Sequence, residues 1–190
     1  MLCPNCHTQA HLGIISTEEL LARRKELSGE VDRESGGLSL NGNDYNINIG
    51  GVCFTGTRHV FVYENMNLLS LLQENNTLFI SCRLHDKEGR LICWMHNNKW
   101  WIENKEILEF TRSKDEFNVV GSEARLNIKV DKDNKRIALS GEIFINKKTL
   151  QFGEEGIIYS DSSSIVIRCG TFQEFNAIRI FKNGSIGIGG

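Results

Sequence analysis

Beyond about residue 35 the chain alternates between apolar and polar residues, a period that puts every second side chain on one face of an extended strand. In Leu78-Phe79-Ile80-Ser81-Cys82-Arg83-Leu84, the residues Leu78, Ile80, Cys82 and Leu84 share a face. Residues 124–130 alternate in the same way. Ile137, Leu139, Gly141, Ile143 and Ile145 repeat the pattern after the polar turn at 131–136. Asn183-Gly184 offers positive φ between two more apolar stretches, Ile178-Arg179-Ile180-Phe181 and Ser185-Ile186-Gly187-Ile188, and so predicts a hairpin. Residues 68–73, with four leucines, fit a helical turn or a buried strand equally well.

Strand, polar turn, strand recurs at 78–96, 124–145 and 165–188. This predicts a mainly β fold, an antiparallel sandwich or barrel or an irregular β-solenoid, rather than any α/β architecture. A solenoid normally carries a fixed repeat length, and none can be extracted here. Sandwiches and solenoids leave open edge strands, so homo-oligomer formation through β edges is an expectation.

Residues 16–27 have a different pattern and predict a helix. Ser16 caps it, Glu19 stands at the capping-box position, and Ile15 with Leu20 forms a hydrophobic staple. Arg23, Arg24 and Lys25 lie toward the end where the helix dipole favours cations, and Gly29 suits the stop. Glu18, Glu19, Glu26 and Glu30 surround these bases, so the triplet reads as a solvated face rather than a phosphate site. Residues 30–37 are polar and end in Ser35-Gly36-Gly37, which predicts a linker. Two units follow: residues 1–34, a short clip and helix, and residues 35–190, the β-rich domain.

Composition narrows the class. Hydrophobic residues make up 40% of the 190, enough for a real core, and 24% are charged. The net charge of −2 lacks the basic balance of a dedicated nucleic-acid binder. No signal peptide or bilayer-length apolar run is visible, so no membrane association and a cytoplasmic setting are expected. Cys53, Cys82, Cys93 and Cys169 sit apart in apolar stretches and are expected to be core residues rather than a disulfide framework.

Candidate chemistry concentrates at the start of the chain. Cys3 and Cys6 form a C-x2-C clip, half of a tetrahedral zinc site, with His7 next and His11 four residues on. Histidines four apart on a helix point the same way and can share a metal ion. The run Leu2-Cys3-Pro4-Asn5-Cys6-His7-Thr8-Gln9-Ala10-His11, with the helix after it, resembles the closing part of an HNH endonuclease motif, the ββα-metal fold. That resemblance covers about the first 27 residues. The β-rich remainder resembles, more weakly, tails of some bacterial HNH-containing proteins. It implies that Cys3 and Cys6 hold a structural zinc and that His7 and His11 face a catalytic divalent metal such as magnesium, manganese or zinc. The substrate it implies is nucleic acid, cut by phosphodiester hydrolysis.

The family's first C-x2-C and its Asp-His pair have no counterpart here. Hydrolysis needs both a metal at the scissile phosphate and a general base, the latter worth ~10²–10⁴-fold in rate. The expectation is therefore a truncated motif, inactive in this chain alone unless completed upstream or by a partner. His59, His85 and His96 lie far downstream in β-patterned sequence. The alternative reading is a non-enzymatic β-rich module for binding or self-assembly. Trp94, Trp100 and Trp101 flank a turn and suit either a stacking surface or ordinary core burial. The turns Asp131-Lys132-Asp133-Asn134 and Asp161-Ser162-Ser163-Ser164 lack the ligand pattern of a calcium loop and read as turn chemistry. No phosphate-binding glycine motif or nucleophile elbow is present.

Overall fold

The computed structural model describes residues 34–35, 38–102, 107–160, 165–173, 177–183 and 185–189. The predicted helix at 16–27, and Cys3, Cys6, His7 and His11, lie outside the described residues. Within these, the chain forms β1 (Glu34–Ser35), β2 (Leu38–Ser39), β3 (Asn46–Ile49), β4 (Gly51–Thr55), β5 (His59–Tyr63) and β6 (Met66–Glu74). It continues through β7 (Thr77–His85), β8 (Leu91–His96), β9 (Lys99–Ile102), β10 (Ile107–Arg112), β11 (Glu116–Gly121), β12 (Arg125–Asp131) and β13 (Arg136–Ile145). The last strands are β14 (Lys148–Gly153), β15 (Gly156–Ser160), β16 (Ile165–Ile167), β17 (Cys169–Gln173), β18 (Ala177–Ile180) and β19 (Ile186–Gly189). The ambiguous leucine run is thus strand β6, and the hairpin expected around Asn183 is β18–β19.

Two sheets share one hydrophobic core. The first runs β1-β9-β8-β7-β6-β5-β18-β19, with β2 also paired to β7; the second runs β10 to β16 in order, with β3, β4 and β17 attached. Their inner faces meet where Phe61 of β5 lies 5.0 Å, centroid to centroid, from Phe152 of β14. The alternation read from the sequence lines this core, to which Leu78, Ile80, Cys82 and Leu84 from β7 and Ile137, Leu139, Ile143 and Ile145 from β13 all belong. Burying side chains of this size is worth about 1.5–3 kcal/mol each.

Two expectations change. The sheets are mixed rather than antiparallel and do not close into a barrel. Strands β3 and β13, β4 and β17, and β5 and β18 pair in parallel. Each joins segments far apart in the chain, which local alternation does not encode. The predicted linker is also partly structured, since Glu34 and Ser35 pair with Trp100 and Lys99 at the edge of the first sheet.

The second sheet contains a seam. Strand β13 pairs with β3 along its first residues and with β14 along its last. Across the sheet, β16 pairs with β15 and β17 with β4, only Arg168 separating the two. The hairpins β3–β4 and β14–β15 therefore abut tip to tip between two continuous partners. Glycine makes the abutment possible. A Cβ on Gly156 would stand 2.2 Å from the Ile167 carbonyl oxygen, and one on Gly50 would stand 2.6 Å from the carbonyl oxygens of Gly153 and Glu154.

Candidate functional site

The described residues contain one group of three potential metal ligands, Asp86, Glu88 and Glu123, whose ligand atoms lie within 4.8 Å of one another. Asp86 and Glu88 belong to the turn joining β7 to β8, and Glu123 to the turn joining β11 to β12. Asp86 is 1% exposed and ties its turn together. Its Oδ1 accepts the Arg90 backbone N–H at 2.8 Å and its Oδ2 accepts Arg90 Nε at 2.6 Å. Its own N–H donates to the Arg90 carbonyl, and its carbonyl accepts from Gly89. Glu123 accepts the Lys87 backbone N–H at 2.9 Å and pairs with the Lys87 ammonium at 2.5 Å.

The electrostatics follow from these contacts. Burial pushes the Asp86 carboxyl up, but the Arg90 backbone N–H and guanidinium outweigh it and hold the group below its usual value. The Lys87 side chain and N–H likewise hold Glu123 low, and Glu123 raises Lys87 in return. Two cations thus already lie among three carboxylates. A hard cation such as calcium takes six to eight oxygens, whereas the best-placed lone pairs of Asp86 are spent on Arg90. The arrangement joins two turns by ion pairs.

The histidines do not converge. His85 pairs with Leu91 at one end of the β7–β8 hairpin and His96 with Lys99 at the other. At about 3.3 Å per residue they are well beyond sharing a metal. His59 lies on β5, with its Nδ1 2.9 Å from Ser70 Oγ. Burial, then the charges of Arg58 and Arg179, lower its pKa from 6.5.

Cys82 and Cys93 are buried core residues as expected, and a hydrogen bond with the Cys93 thiol together with burial pushes the Cys82 thiol well up. A thiol so placed stays protonated and unreactive. Cys53 is only half-buried and Cys169 is exposed. Both are corrections: on β4 the inward residues are Val52 and Phe54, which flank Cys53, and around Cys169 only Phe172, stacked on Phe54, turns inward from β17.

The Asp131 turn is ordinary turn chemistry. Asp131 accepts the Asn134 N–H at 3.0 Å and its side-chain amide at 2.8 Å, and Lys132 pairs with Asp115. Residues 161–164 lie outside the described residues. Trp94 is buried, and the side chains of Trp100 and Trp101 are not described.

Sequence reasoning missed the joining of Asp86 to Glu123 and the bonding of the Asn98 side chain, which accepts the Ile80 N–H and donates to the Leu78 carbonyl. The acidic spacing carries no motif. The Asn-Asn dipeptide before Lys99 was the readable signal, because both residues tolerate positive φ. Compared with known proteins, the chain matches no family model, no curated protein and no solved structure.

Proposed function

We propose that this is an HNH-related protein in which metal chemistry belongs to the N-terminal segment and the β-sandwich serves binding or assembly rather than catalysis. The observation that carries the second half is the ion pairing of Asp86, Glu88 and Glu123 with Lys87 and Arg90. The sandwich's own acidic group is committed to holding turns together. His59, His85 and His96 stand on separate strand positions, so they give no base beside a metal site. The first half rests on the C-x2-C-H-x3-H run alone. In this reading Cys3 and Cys6 hold zinc as a half-site, and His7 and His11 contribute to a divalent catalytic metal once an upstream or partner half supplies the base.

Assembly through sheet edges is the companion expectation. Among the described residues β10 pairs only with β11, and its exposed Glu109 and Arg112 oppose edge-to-edge pairing. Among the described residues β19 pairs only with β18, and its Ile186-Gly187-Ile188-Gly189 sequence carries no charge.

The test is metal analysis and plasmid cleavage with the purified chain. We expect zinc below one ion per chain, or one ion shared between chains, and intact plasmid with magnesium, manganese or zinc. Supplying a first C-x2-C and an Asp-His upstream should confer nicking, and His7→Ala or His11→Ala should then abolish it. Cleavage by the unextended chain that survives both substitutions would sink the proposal.

A further inference from the structure

The loop between β2 and β3 holds Asn41-Gly42, one of two Asn-Gly pairs in the chain, the other being Asn183-Gly184. The fold demands the glycine. Gly42 takes φ +111°, and a Cβ there would stand 3.0 Å from Asp44 Oδ1. An asparagine before glycine is chemically vulnerable, because no side chain shields the following backbone nitrogen from the amide carbon. Asn41 is exposed, and among the described residues its side chain makes no hydrogen bond. Its backbone N–H donates to Tyr45 Oη at 2.9 Å.

The attacking nitrogen, in contrast, is held. Gly42 N–H donates to Asn76 Oδ1 at 3.1 Å, on the turn between β6 and β7. Asn76 is itself anchored to the loop on both sides. Its N–H donates to Asn43 Oδ1 at 3.1 Å, and its carbonyl accepts the Leu40 N–H at 2.8 Å.

We propose that Asn41 is a site of spontaneous deamidation and that the Asn76 side chain sets its rate by holding the Gly42 N–H. In the first step the Gly42 nitrogen bonds to the side-chain carbonyl carbon of Asn41 and gives up its proton. The carbon–nitrogen bond of the side-chain amide breaks, and ammonia leaves with that proton. Water then opens the cyclic imide at either carbonyl, giving aspartate or isoaspartate. No metal or enzyme takes part, so the inference is independent of the nuclease reading. The N–H must leave the Asn76 oxygen before its nitrogen can turn on the amide carbon, and the bond therefore slows the first step. Either product adds a carboxylate to a loop that already carries Asp44, paired with Lys135 at 2.5 Å. Isoaspartate also lengthens the backbone by a methylene between the ties to Tyr45 and Asn76.

The test incubates the full chain at mildly alkaline pH and follows the peptides holding Asn41 and Asn183 by mass spectrometry. Asn183 is the internal reference. Asn75→Gly with Asn76→Gly removes the acceptor yet suits a turn whose two positions have φ of 51° and 58°. That variant should deamidate at Asn41 severalfold faster, relative to Asn183, than the parent chain. Asn76→Asp keeps an oxygen facing Gly42 and should leave the ratio near the parent's. An unchanged ratio in the glycine variant, with its β signal in circular dichroism retained, overturns the proposal. So does conversion at Asn183 with none at Asn41 in either chain. Should the glycine variant lose its β signal, hydrogen exchange at the Gly42 amide of the unaltered chain decides the matter. Slowed exchange supports the proposal, and exchange at the rate of an open peptide overturns it.

Discussion

Asn98 makes a turn residue act as a length of strand. It follows Asn97 in the two-residue loop between β8 and β9, and both take positive φ, 48° and 64°. Its backbone N–H donates to the Ile80 carbonyl at 3.0 Å. Its side-chain Oδ1 accepts the Ile80 N–H at 2.7 Å, and its Nδ2 donates to the Leu78 carbonyl at 2.9 Å. The amide thus fills the gap on the β7 edge between β8 and β2. Each orphaned buried group costs about 1–3 kcal/mol, so Asn98→Gly, which keeps the φ freedom, should still destabilise by about 2–4 kcal/mol in urea unfolding. A loss below that range would mean that the turn conformation, and not the side chain, is what matters.

His59 gives a residue-scale expectation for pH. Burial and two neighbouring arginines lower its pKa from 6.5, so the unfolded chain binds this proton at a higher pH than the folded one. Stability then rises with pH where the unfolded state holds more protons. The contribution is complete above 6.5 and is lost as pH falls from there toward the depressed folded value. His59→Gln should flatten that decline relative to the parent chain. Equal slopes in urea midpoints measured above and below this range would show that His59 titrates normally.

At the scale of elements, turns set the register. The loops Asn75-Asn76, Asn97-Asn98 and Asn146-Lys147 have positive φ at both positions, the primed form whose twist matches a hairpin. The abutting hairpins of the second sheet depend on close approach instead. Gly156 has φ +99° and backbone within 2.2 Å of a Cβ, whereas Gly89 has φ +87° and nothing within 4 Å. Comparing the two separates strain from collision. Gly89→Ala should cost about 1–3 kcal/mol for the backbone conformation alone. Gly156→Ala should cost more than about 3 kcal/mol, because the carbonyl of Ile167 must also move. Similar thermal shifts for the two variants would mean that the hairpin tips separate easily.

At the scale of the molecule, one core spans both sheets and draws its buried residues from Leu38 to Ile180. The period-two strands all lie beyond residue 34, so a chain lacking residues 1–34 should still unfold cooperatively. Loss of any cooperative transition in circular dichroism would place the N-terminal segment in the core instead. Among the described residues no helix is long and apolar enough to cross a membrane.

Alternation alone determined the β class, the inner face of β7, β12 and β13, and the hairpin near the C-terminus, because period two is a local property that every strand must display. The core role of Cys82 and Cys93 followed from the same pattern, and that expected of Cys53 and Cys169 did not, since an apolar neighbourhood does not say which face is covered. The C-x2-C-H-x3-H run is likewise local and remains legible as chemistry. Only the tertiary structure decided the parallel pairings, the abutting hairpins, and the meeting of Asp86 with Glu123, which are 37 residues apart. Each depends on where the chain returns after leaving a sheet. That return is chosen by burial of the whole core and by close backbone approach, and no window of sequence contains either.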